Sequence, residues 1–435
     1  MKNHLLTSLS MCFAFFCSQS TFAQNENLSE HPWCGNTGEY LELQKKMDPG
    51  LEARMAKIEA DMQSWIKNNN NTPKIQTVVY IPVVFHILYA NSTQNISDTY
   101  INQLMALLNQ DFHKLNTDWN NTPAAFKPLV ADCEIQFCLA SKDPSGNPTN
   151  GIIHKSTTVS QFMTLSQIMQ SSGGGDNAWN TAKYLNIWVG NLPPGIGGFG
   201  TYPGGSPTND GVELLYTMLP GPPTAQNFDT GKCGTHEIGH YFNLYHPWGN
   251  GANNNGCTTA ADDQVADTPL QKTDNYGLPN CPAFPYHANA CPSTPNGDMF
   301  MNFMDYTNDV CRVMFSEGQK TRMWAAINGP RSGLLTSAAT NCTATGINGI
   351  SLNDHISIYP NPSAGDVFMN INLSTISSMD VAIFNSIGET VLAKNISAHS
   401  GKEIKLDMNN KPNGIYLMKI KTSEGNITKK IVINR

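Results

Sequence analysis

Two histidines four residues apart form the chemical centre of the sequence. Residues 236–240 read His-Glu-Ile-Gly-His, and a third histidine follows at His246. On a helix, His236 and His240 lie at i and i+4 and share one face, so both imidazoles can point at one metal ion. Three neutral imidazoles leave a fourth coordination position open, which is typical of a catalytic zinc site. The spacing therefore predicts a Zn²⁺ centre with these three ligands.

An acid beside the first ligand supplies the other half of this chemistry. The carboxylate of Glu237 can reach a water on the metal, which lowers the pKa of that water. Glu237 is thus a candidate general base that takes the proton and passes it to a leaving amine. Five residues alone also fit an ordinary helix with two unrelated histidines. The third histidine, six residues after His240, favours the metal site.

Two further segments must support the site. The helix has to end before His246 can turn back to the metal, and Asn243 is well suited to a left-handed turn there. Residues 302–306 read Asn-Phe-Met-Asp-Tyr. The soft side chain of Met304 can fill the floor beneath the metal, and the Tyr306 hydroxyl can turn towards an oxyanion. An ordinary core role for Met304 is the alternative, since the chain has 18 methionines.

The apolar pattern predicts the elements that position these residues. Residues 78–89 and 184–189 are dense in β-branched and apolar side chains, as buried strands are. Ser97 can cap a helix with an apolar face. Further predictions are helices at 41–46, 51–67 and 317–327, a strand at 211–218, a glycine-rich loop at 195–205 and an irregular segment at 247–300.

The start of the chain has the pattern of a secretory signal. Lys2 precedes a short apolar run over residues 9–17, and Ala23 ends a segment suited to cleavage. The run is shorter than the roughly 20 residues that a membrane helix needs, and no later stretch predicts a span. We expect a signal peptide at residues 1–23 and a secreted or cell-surface protein. The net charge is −7 and the sequence has no basic stripe, so it indicates no surface suited to binding nucleic acid.

Cysteine usage agrees with export. Of the 11 cysteines, two fall in the signal peptide, so nine remain and at least one thiol is left over. Four that lie close together predict two disulfides, with three pairings open, namely Cys257, Cys281, Cys291 and Cys311. The pairing of another four is also open: Cys133, Cys138, Cys233 and Cys342.

The extended zinc motif, the Met304 turn and the four downstream cysteines resemble the pappalysin and cytophagalysin family of metzincin metallopeptidases. The similarity runs from about residue 78 to residue 327. It implies a zinc endopeptidase with an α+β catalytic domain at residues 74–345, in which a twisted five-stranded mixed sheet and helices lie above an irregular lower half. It also implies that residues 211–218 are the antiparallel edge strand that binds substrate by β-augmentation.

The family pattern implies two further features of the lower half. Residues 262–269 resemble the calcium loop of the family, with Asp263 and Thr268 as ligands for this hard cation, although a solvated acidic turn also fits. The pattern pairs the four cysteines as Cys257–Cys291 and Cys281–Cys311.

The C-terminal part of the chain has a different pattern. Short strands separated by turns predict a small all-β sandwich over residues 356–435. Residues 359–363 and 412–416 read Tyr-Pro-Asn-Pro-Ser and Pro-Asn-Gly-Ile-Tyr, and they resemble the sorting domain read by the bacterial type IX secretion system. That machinery is therefore an expected partner. A small adhesion or stability module is the alternative.

Cys34 suggests how such a site is restrained before export. It lies in a His-Pro-Trp-Cys-Gly segment ahead of the catalytic unit. A thiolate is a strong zinc ligand and could take the open position in a latent form. Relatives resemble this arrangement, with a Cys-Gly pair in an N-terminal propeptide, here residues 24–73. One thiol on the metal would leave eight cysteines for bridges. A disulfide from Cys34 to another cysteine, such as Cys342, is the alternative.

Two functions of different classes follow from these patterns. The first is an endopeptidase that acts on proteins or peptides outside the cell. The second is a secreted binding or adhesion protein on a peptidase scaffold. The presence of Glu237 favours the enzyme, since a scaffold without catalysis has no use for the base.

Overall fold

The structure is a computed structural model. It describes residues 34–69, 78–221, 228, 230–249, 256–258, 262–278, 280–292, 294–337, 356–371, 379–385, 388–396, 402–422 and 425–435. The predicted signal peptide at residues 1–23 and Cys342 lie outside the described residues. Within those ranges, no helix has the length and apolar character needed to cross a membrane.

The part of the chain that the structure describes contains five α-helices and thirteen β-strands. The helices are α1 (Gly38–Met47), α2 (Leu51–Asn69), α3 (Asp98–Phe112), α4 (Lys232–Tyr241) and α5 (Glu317–Asn328). The strands of the N-terminal unit are β1 (Val79–Tyr89), β2 (Ile135–Leu139), β3 (Ile152–Ser156), β4 (Leu185–Gly190), β5 (Gly198–Gly200) and β6 (Val212–Leu215). Those of the C-terminal unit are β7 (Ile356–Tyr359), β8 (Asp366–Ile371), β9 (Met379–Phe384), β10 (Thr390–Ile396), β11 (Lys402–Asp407), β12 (Gly414–Thr422) and β13 (Gly425–Ile433).

The N-terminal unit is built on a mixed sheet around β1. The strand order is β2-β1-β4-β6-β5, and β3 pairs with the C-terminal half of β1 as a sixth strand. All pairs are parallel except β5 with β6. Eight consecutive residues of β1 are buried, as expected for a parallel strand covered on both faces. The mixed sheet and helices expected from the resemblance are confirmed, but the expected count of five strands is wrong, because β3 pairs with β1 beyond the end of β2 and adds a sixth.

The edge of this sheet differs from the sequence prediction. Residues 211–218 are not the antiparallel edge, because β6 lies inside the sheet and runs parallel to β4. The antiparallel edge strand is β5, from the stretch at 195–205 that is predicted as a loop. Glycine is a poor strand former, so a Gly-Phe-Gly strand gives no local signal. The pattern also gives no prediction of β2, β3 or β10.

Helices α3 and α4 pack against each other, and α4 contacts β5 and β6. The apolar face of α3 enters the main core through Ile101, Leu104 and Leu108. All ten residues of α4 are buried, its histidines included. The metal-binding motif therefore lies inside the core, between the sheet and the segments that follow it.

The lower half is irregular, as expected, and is cross-linked. Between α4 and α5, the described residues form only one short 3₁₀ helix. Both disulfides implied by the family pattern are confirmed, Cys257–Cys291 and Cys281–Cys311. Such bridges stabilise a loop-rich region mainly by restricting its unfolded state. The expectation of eight bridged cysteines is wrong, because Cys133 and Cys233 are buried free thiols.

The C-terminal unit is a small β-sandwich, as predicted. One sheet has the order β10-β9-β12-β13 and the other β11-β8-β7. Alternate residues of both sheets share one apolar core, which includes Val367, Ile383, Met418 and Ile431. Asn361 of the Tyr-Pro-Asn-Pro segment borders the last strand, where its side chain bonds to the backbone of Lys430 and Val432.

Candidate metal centre

The helix that carries the first two histidines ends in a left-handed turn. Asn243 has a φ of 66°, which confirms the turn predicted at this position. The N–H of Asn243 bonds to the His240 carbonyl at 2.8 Å, and the N–H of Leu244 bonds to the Gly239 carbonyl at 2.9 Å. These bonds satisfy carbonyls at the helix end and redirect the chain, so that His246 returns to the first two histidines.

The three imidazoles converge through their Nε2 atoms. His240 Nε2 lies 3.0 Å from His236 Nε2 and 3.0 Å from His246 Nε2. His236 Nδ1 donates to the Phe303 carbonyl at 2.7 Å, and His240 Nδ1 donates to the Leu244 carbonyl at 2.8 Å. Since these protons are on Nδ1, each neutral ring presents an Nε2 lone pair to the centre. Lone pairs this close repel unless a cation lies between them, so the donor set fits a metal ion.

Burial favours the uncharged, metal-binding form of these rings. Desolvation lowers the pKa of His236 well below its ordinary value and that of His240 to about 3. Both imidazoles are therefore neutral at physiological pH. Metal binding then requires no proton release from either ring.

Cys34 completes the cluster. Its Sγ atom lies 3.4 Å from His240 Nε2 and 3.7 Å from Glu237 Oε2. One ligand atom from each of Cys34 and the three histidines lies within 4.8 Å of the others. Cys34 is a free thiol, so the alternative in which it forms a disulfide with another cysteine is wrong. Burial raises the pKa of its thiol well above the ordinary value, and a thiolate here thus requires a cation in direct contact.

Glu237 lies where the helix meets the edge strand. Among the residues that the structure describes, none bonds to its Oε1 atom, and burial raises the pKa of Glu237 well above the ordinary value. A Cβ at Gly198 would lie 2.6 Å from Glu237 Cγ, and one at Gly200 would lie 2.1 Å from the Glu237 carbonyl oxygen. Only glycines allow β5 to pass this close to α4. The glycine-rich stretch thus brings a strand edge to the acid.

Met304 contacts the helix that carries the first two histidines, and Tyr306 contacts the third histidine. A Cβ at Gly239 would lie 2.5 Å from Met304 Sδ, so Met304 packs directly beneath the helix. The Tyr306 hydroxyl lies 3.0 Å from His246 Nε2. Asp305 between them is buried, and its carboxylate accepts hydrogen bonds from the side chains of Gln271 and Asn275. This network fixes the turn that places both residues.

Comparison with known proteins places this site in a family. Residues 170–328 match the family model described as pregnancy-associated plasma protein-A, and residues 357–434 match the secretion system C-terminal sorting domain. An extracellular metalloprotease of Neurospora crassa is 30% identical over 254 residues, which are 57% of this chain and 74% of that protein. The chain belongs to the pappalysin family of metallopeptidases. A second extracellular metalloprotease, from Sordaria macrospora, is 30% identical over 259 residues, 58% of this chain and 76% of that protein.

Solved structures agree with this assignment to the pappalysins. Mature mirolysin of Tannerella forsythia, in complex with a cleaved peptide, is 40% identical, with a TM-score of 0.56. The match covers 61% of this chain and 97% of that one. A promirolysin mutant is 37% identical, with a TM-score of 0.61, and the match covers 70% of this chain and 97% of that one.

Family and sorting domain together define the class of this pappalysin. It is a metalloprotease with protein substrates, and its family implies a metal. The sorting domain makes the type IX secretion machinery its partner and places the protein outside the cell or at the cell surface.

The residues predicted for calcium lie together in this pappalysin. The Thr268 hydroxyl lies 2.9 Å and 2.8 Å from the two carboxylate oxygens of Asp263, and 2.8 Å from the Val265 carbonyl oxygen. Burial raises the pKa of Asp263 well above its ordinary value. Calcium binding stays a prediction.

Three contacts of this site have no signal in the zinc motif. The Tyr202 hydroxyl lies 3.1 Å from His240 Nδ1, and the ring of Trp248 stacks on His246 with centroids 4.6 Å apart. The Asn36 side chain donates to the Gly200 carbonyl at 2.7 Å and accepts from the Gly200 N–H at 3.0 Å. The glycines at 195–205 are the one sequence feature that could have indicated such a close approach.

Proposed function

We propose that this pappalysin is a secreted zinc endopeptidase of the metzincin type that is made as a latent precursor. His236, His240 and His246 would hold the ion. The observation that carries the proposal is the convergence of three Nε2 atoms at 3.0 Å, with two of the rings oriented by backbone carbonyls. Three nitrogen ligands and one exchangeable position are the donor set of catalytic zinc. Zinc, when bound, polarises a carbonyl group and lowers the pKa of water.

Glu237 is proposed as the proton carrier. Its Oε1 atom is buried and has no hydrogen-bond partner in the described part of the chain, so it can accept a proton from the attacking water and deliver it to the leaving nitrogen. Glu237 would ligate no metal in this scheme, because its role is transfer.

Tyr306 is proposed to stabilise the oxyanion. Its hydroxyl lies 3.0 Å from His246 Nε2, beside the three histidines that would hold the ion. A buried O–H donor aimed at developing negative charge is worth more than the same donor in water. Tyr306 would thus act by stabilising the transition state, whereas Met304 would act only by packing.

The edge strand β5 is proposed as the substrate-binding edge. In this structure the N-terminal segment lies along β5. Cys34 pairs with Gly198 in an isolated parallel β-bridge, and the Gly35 N–H donates to the Gly198 carbonyl at 2.8 Å. An extended peptide can use the same strand edge through its backbone. The segment therefore occupies a position that substrate needs.

Residues 24–73 are proposed as a propeptide with Cys34 as the fourth zinc ligand of the latent form. The contact of Cys34 Sγ with the histidine cluster supports this. The mirolysin matches support it too, because the pro-form match covers 70% of this chain and the mature form 61%. The difference is 9% of 435 residues, about 39 residues, which is close to the length of the described segment 34–69.

Substitution of the cysteine tests the proposal. The Cys34→Ala precursor, loaded with zinc, should cleave casein or cleave itself without prior processing, whereas the wild-type precursor should not. A chelator should stop the cleavage, and added zinc should restore it. Zinc bound without any turnover in either protein would contradict an enzyme and favour a binding protein on this scaffold.

A further inference from the structure

Helix α2 of the N-terminal segment presents a carboxylate to a buried arginine. Arg322 Nη1 and Nη2 each lie 2.7 Å from one oxygen of Glu59, which makes the pair bidentate. The Arg322 side chain is 1% exposed and that of Glu59 24%. The two residues are 263 positions apart in the chain. Charge-assisted bidentate pairs of this kind are the strongest hydrogen-bonded contacts between side chains.

The turn that ends α4, the helix that carries His236 and His240, holds the arginine in place. Arg322 Nε donates to the Asn243 carbonyl at 2.7 Å, and its guanidinium lies 4.6 Å from the ring centroid of Tyr245. The Asn243 side chain lies 3.4 Å from Glu59 Oε2 and 3.2 Å from the sulfur of Met62. A glycine at position 243 would allow the same turn but would offer no amide to α2.

We propose that Arg322 and Asn243, with Tyr245 packed against the guanidinium, form a carboxylate-binding site that Glu59 fills in the precursor, and that this contact keeps Cys34 at the metal centre. This inference rests on the proposed latent zinc peptidase. The Glu59 contact would be a second feature that keeps the precursor latent, beside the binding of Cys34 at the metal centre. Burial raises the pKa of Glu59, but the hydrogen bonds and charge of Arg322, together with hydrogen bonds from Gln63 and Asn243, lower it below its ordinary value. The carboxylate is therefore ionised at neutral pH.

The contact acts on Cys34 through the effective concentration of the thiol. Helix α2 also docks by Arg54, whose Nε donates to the Gly204 carbonyl at 2.7 Å, next to the edge strand. With α2 held by both contacts, the chain from Cys34 to α2 is short. Cys34 therefore rebinds quickly whenever its sulfur leaves the metal centre. Without the Glu59 contact, α2 is held less tightly and is released more often. Whenever α2 is released, Cys34 is tethered only through the longer chain that leads to β1, and the concentration of thiol at the metal falls.

The test uses the full-length, zinc-loaded precursor with Glu59→Gln. Mass spectrometry follows alkylation of Cys34 by iodoacetamide and distinguishes it from the buried thiols of Cys133 and Cys233. We expect alkylation of Cys34 and basal peptide hydrolysis to rise by about tenfold to a hundredfold, since removal of one partner leaves a buried charge uncompensated. Arg322→Lys should act in the same direction, because lysine cannot make the bidentate contact.

Asp61→Asn is the matched control. Asp61 lies on the same helix and pairs with Lys57 at 2.7 Å, but both side chains are well exposed. It should behave as wild type, and processed Glu59→Gln should have wild-type kcat/KM because the substituted residue has been removed. A purely structural role would loosen α2, seen as faster hydrogen exchange over residues 51–69, and leave Cys34 alkylation unchanged.

Two outcomes separate this inference from the proposed function. If Cys34→Ala is active and Glu59→Gln alkylates like wild type, the carboxylate site is overturned and the zinc peptidase stands. If Cys34→Ala binds zinc and stays inactive after processing, the proposed peptidase itself is overturned.

Discussion

The His236 ring joins the metal helix to the turn beneath it, because its Nδ1 donates to the Phe303 carbonyl at 2.7 Å while its Nε2 faces the metal position. The carbonyl belongs to the residue just before Met304, whose sulfur packs against Gly239 of the same helix. The floor and the ligand are therefore positioned by one another. Changes in the turn should affect metal affinity, and changes in the ligands should affect packing.

Glu237→Ala should keep the metal and the fold and lose turnover. Glu237 is proposed to move protons without ligating the ion, and general acid–base catalysis contributes about 10²- to 10⁴-fold to a rate. Zinc content, circular dichroism and peptide hydrolysis of the processed protein measure the three properties. Wild-type turnover in this variant would overturn the assigned role.

His246→Ala should lose metal as well as activity. Two imidazoles remain, and the loss of one of three ligands lowers zinc affinity sharply. Equilibrium dialysis against a zinc buffer gives the dissociation constant. Stoichiometric zinc in the processed variant would mean that the third ligand lies elsewhere.

Tyr306→Phe should slow the reaction by about 10- to 1,000-fold and leave zinc bound, because one donor to the oxyanion is removed. The effect should fall on kcat, with KM nearly unchanged. An unaltered kcat would reduce Tyr306 to a packing residue against His246 and Trp248, whose rings lie 4.9 Å and 4.8 Å from its own.

Gly239→Ala should destabilise the catalytic unit by about 1–3 kcal/mol, because the new methyl group meets Met304 Sδ. Thermal unfolding of the zinc-loaded protein measures the loss. Gly205→Ala is a suitable control, since the nearest atom to an added Cβ there is 3.9 Å away. The double variant with Met304→Ala should be less than additive, and strict additivity would show that the two residues do not contact.

Glu213→Gln should make stability less dependent on pH. Glu213 is buried on β6, where its Oε1 accepts from the Ser166 N–H at 2.6 Å, and burial raises its pKa to about 8. Between its ordinary pKa of 4.5 and about 8, the folded state holds a proton that the unfolded chain has released. Stability of the wild type should therefore fall as pH rises, by about 2 kcal/mol between about pH 6 and about pH 8.

The glutamine is neutral throughout this range and should remove that fall. Unfolding midpoints of both proteins in the same buffers give the comparison, and groups other than Glu213 cancel between them. Identical pH profiles for wild type and variant would show that Glu213 is ionised in the folded protein.

The sequence by itself determined the parts of the site that follow from local geometry. An i, i+4 spacing puts His236 and His240 on one helix face, and a left-handed asparagine at Asn243 ends that helix, because both properties depend on a few neighbouring residues. Strongly apolar segments such as 78–89 were predictable for the same reason, since their apolar composition indicates that they are buried.

Only the tertiary structure decided which strand forms the edge and what holds the N-terminal segment in place. Gly198–Gly200 has no strand propensity of its own, and it is a strand because β6 pairs with it and α4 leaves no room for side chains. Likewise, neither Glu59 nor Arg322 carries a local signal, since each is an ordinary helix residue whose partner is 263 positions away. Long-range pairings of this kind depend on the packing of whole elements, which short sequence patterns do not contain.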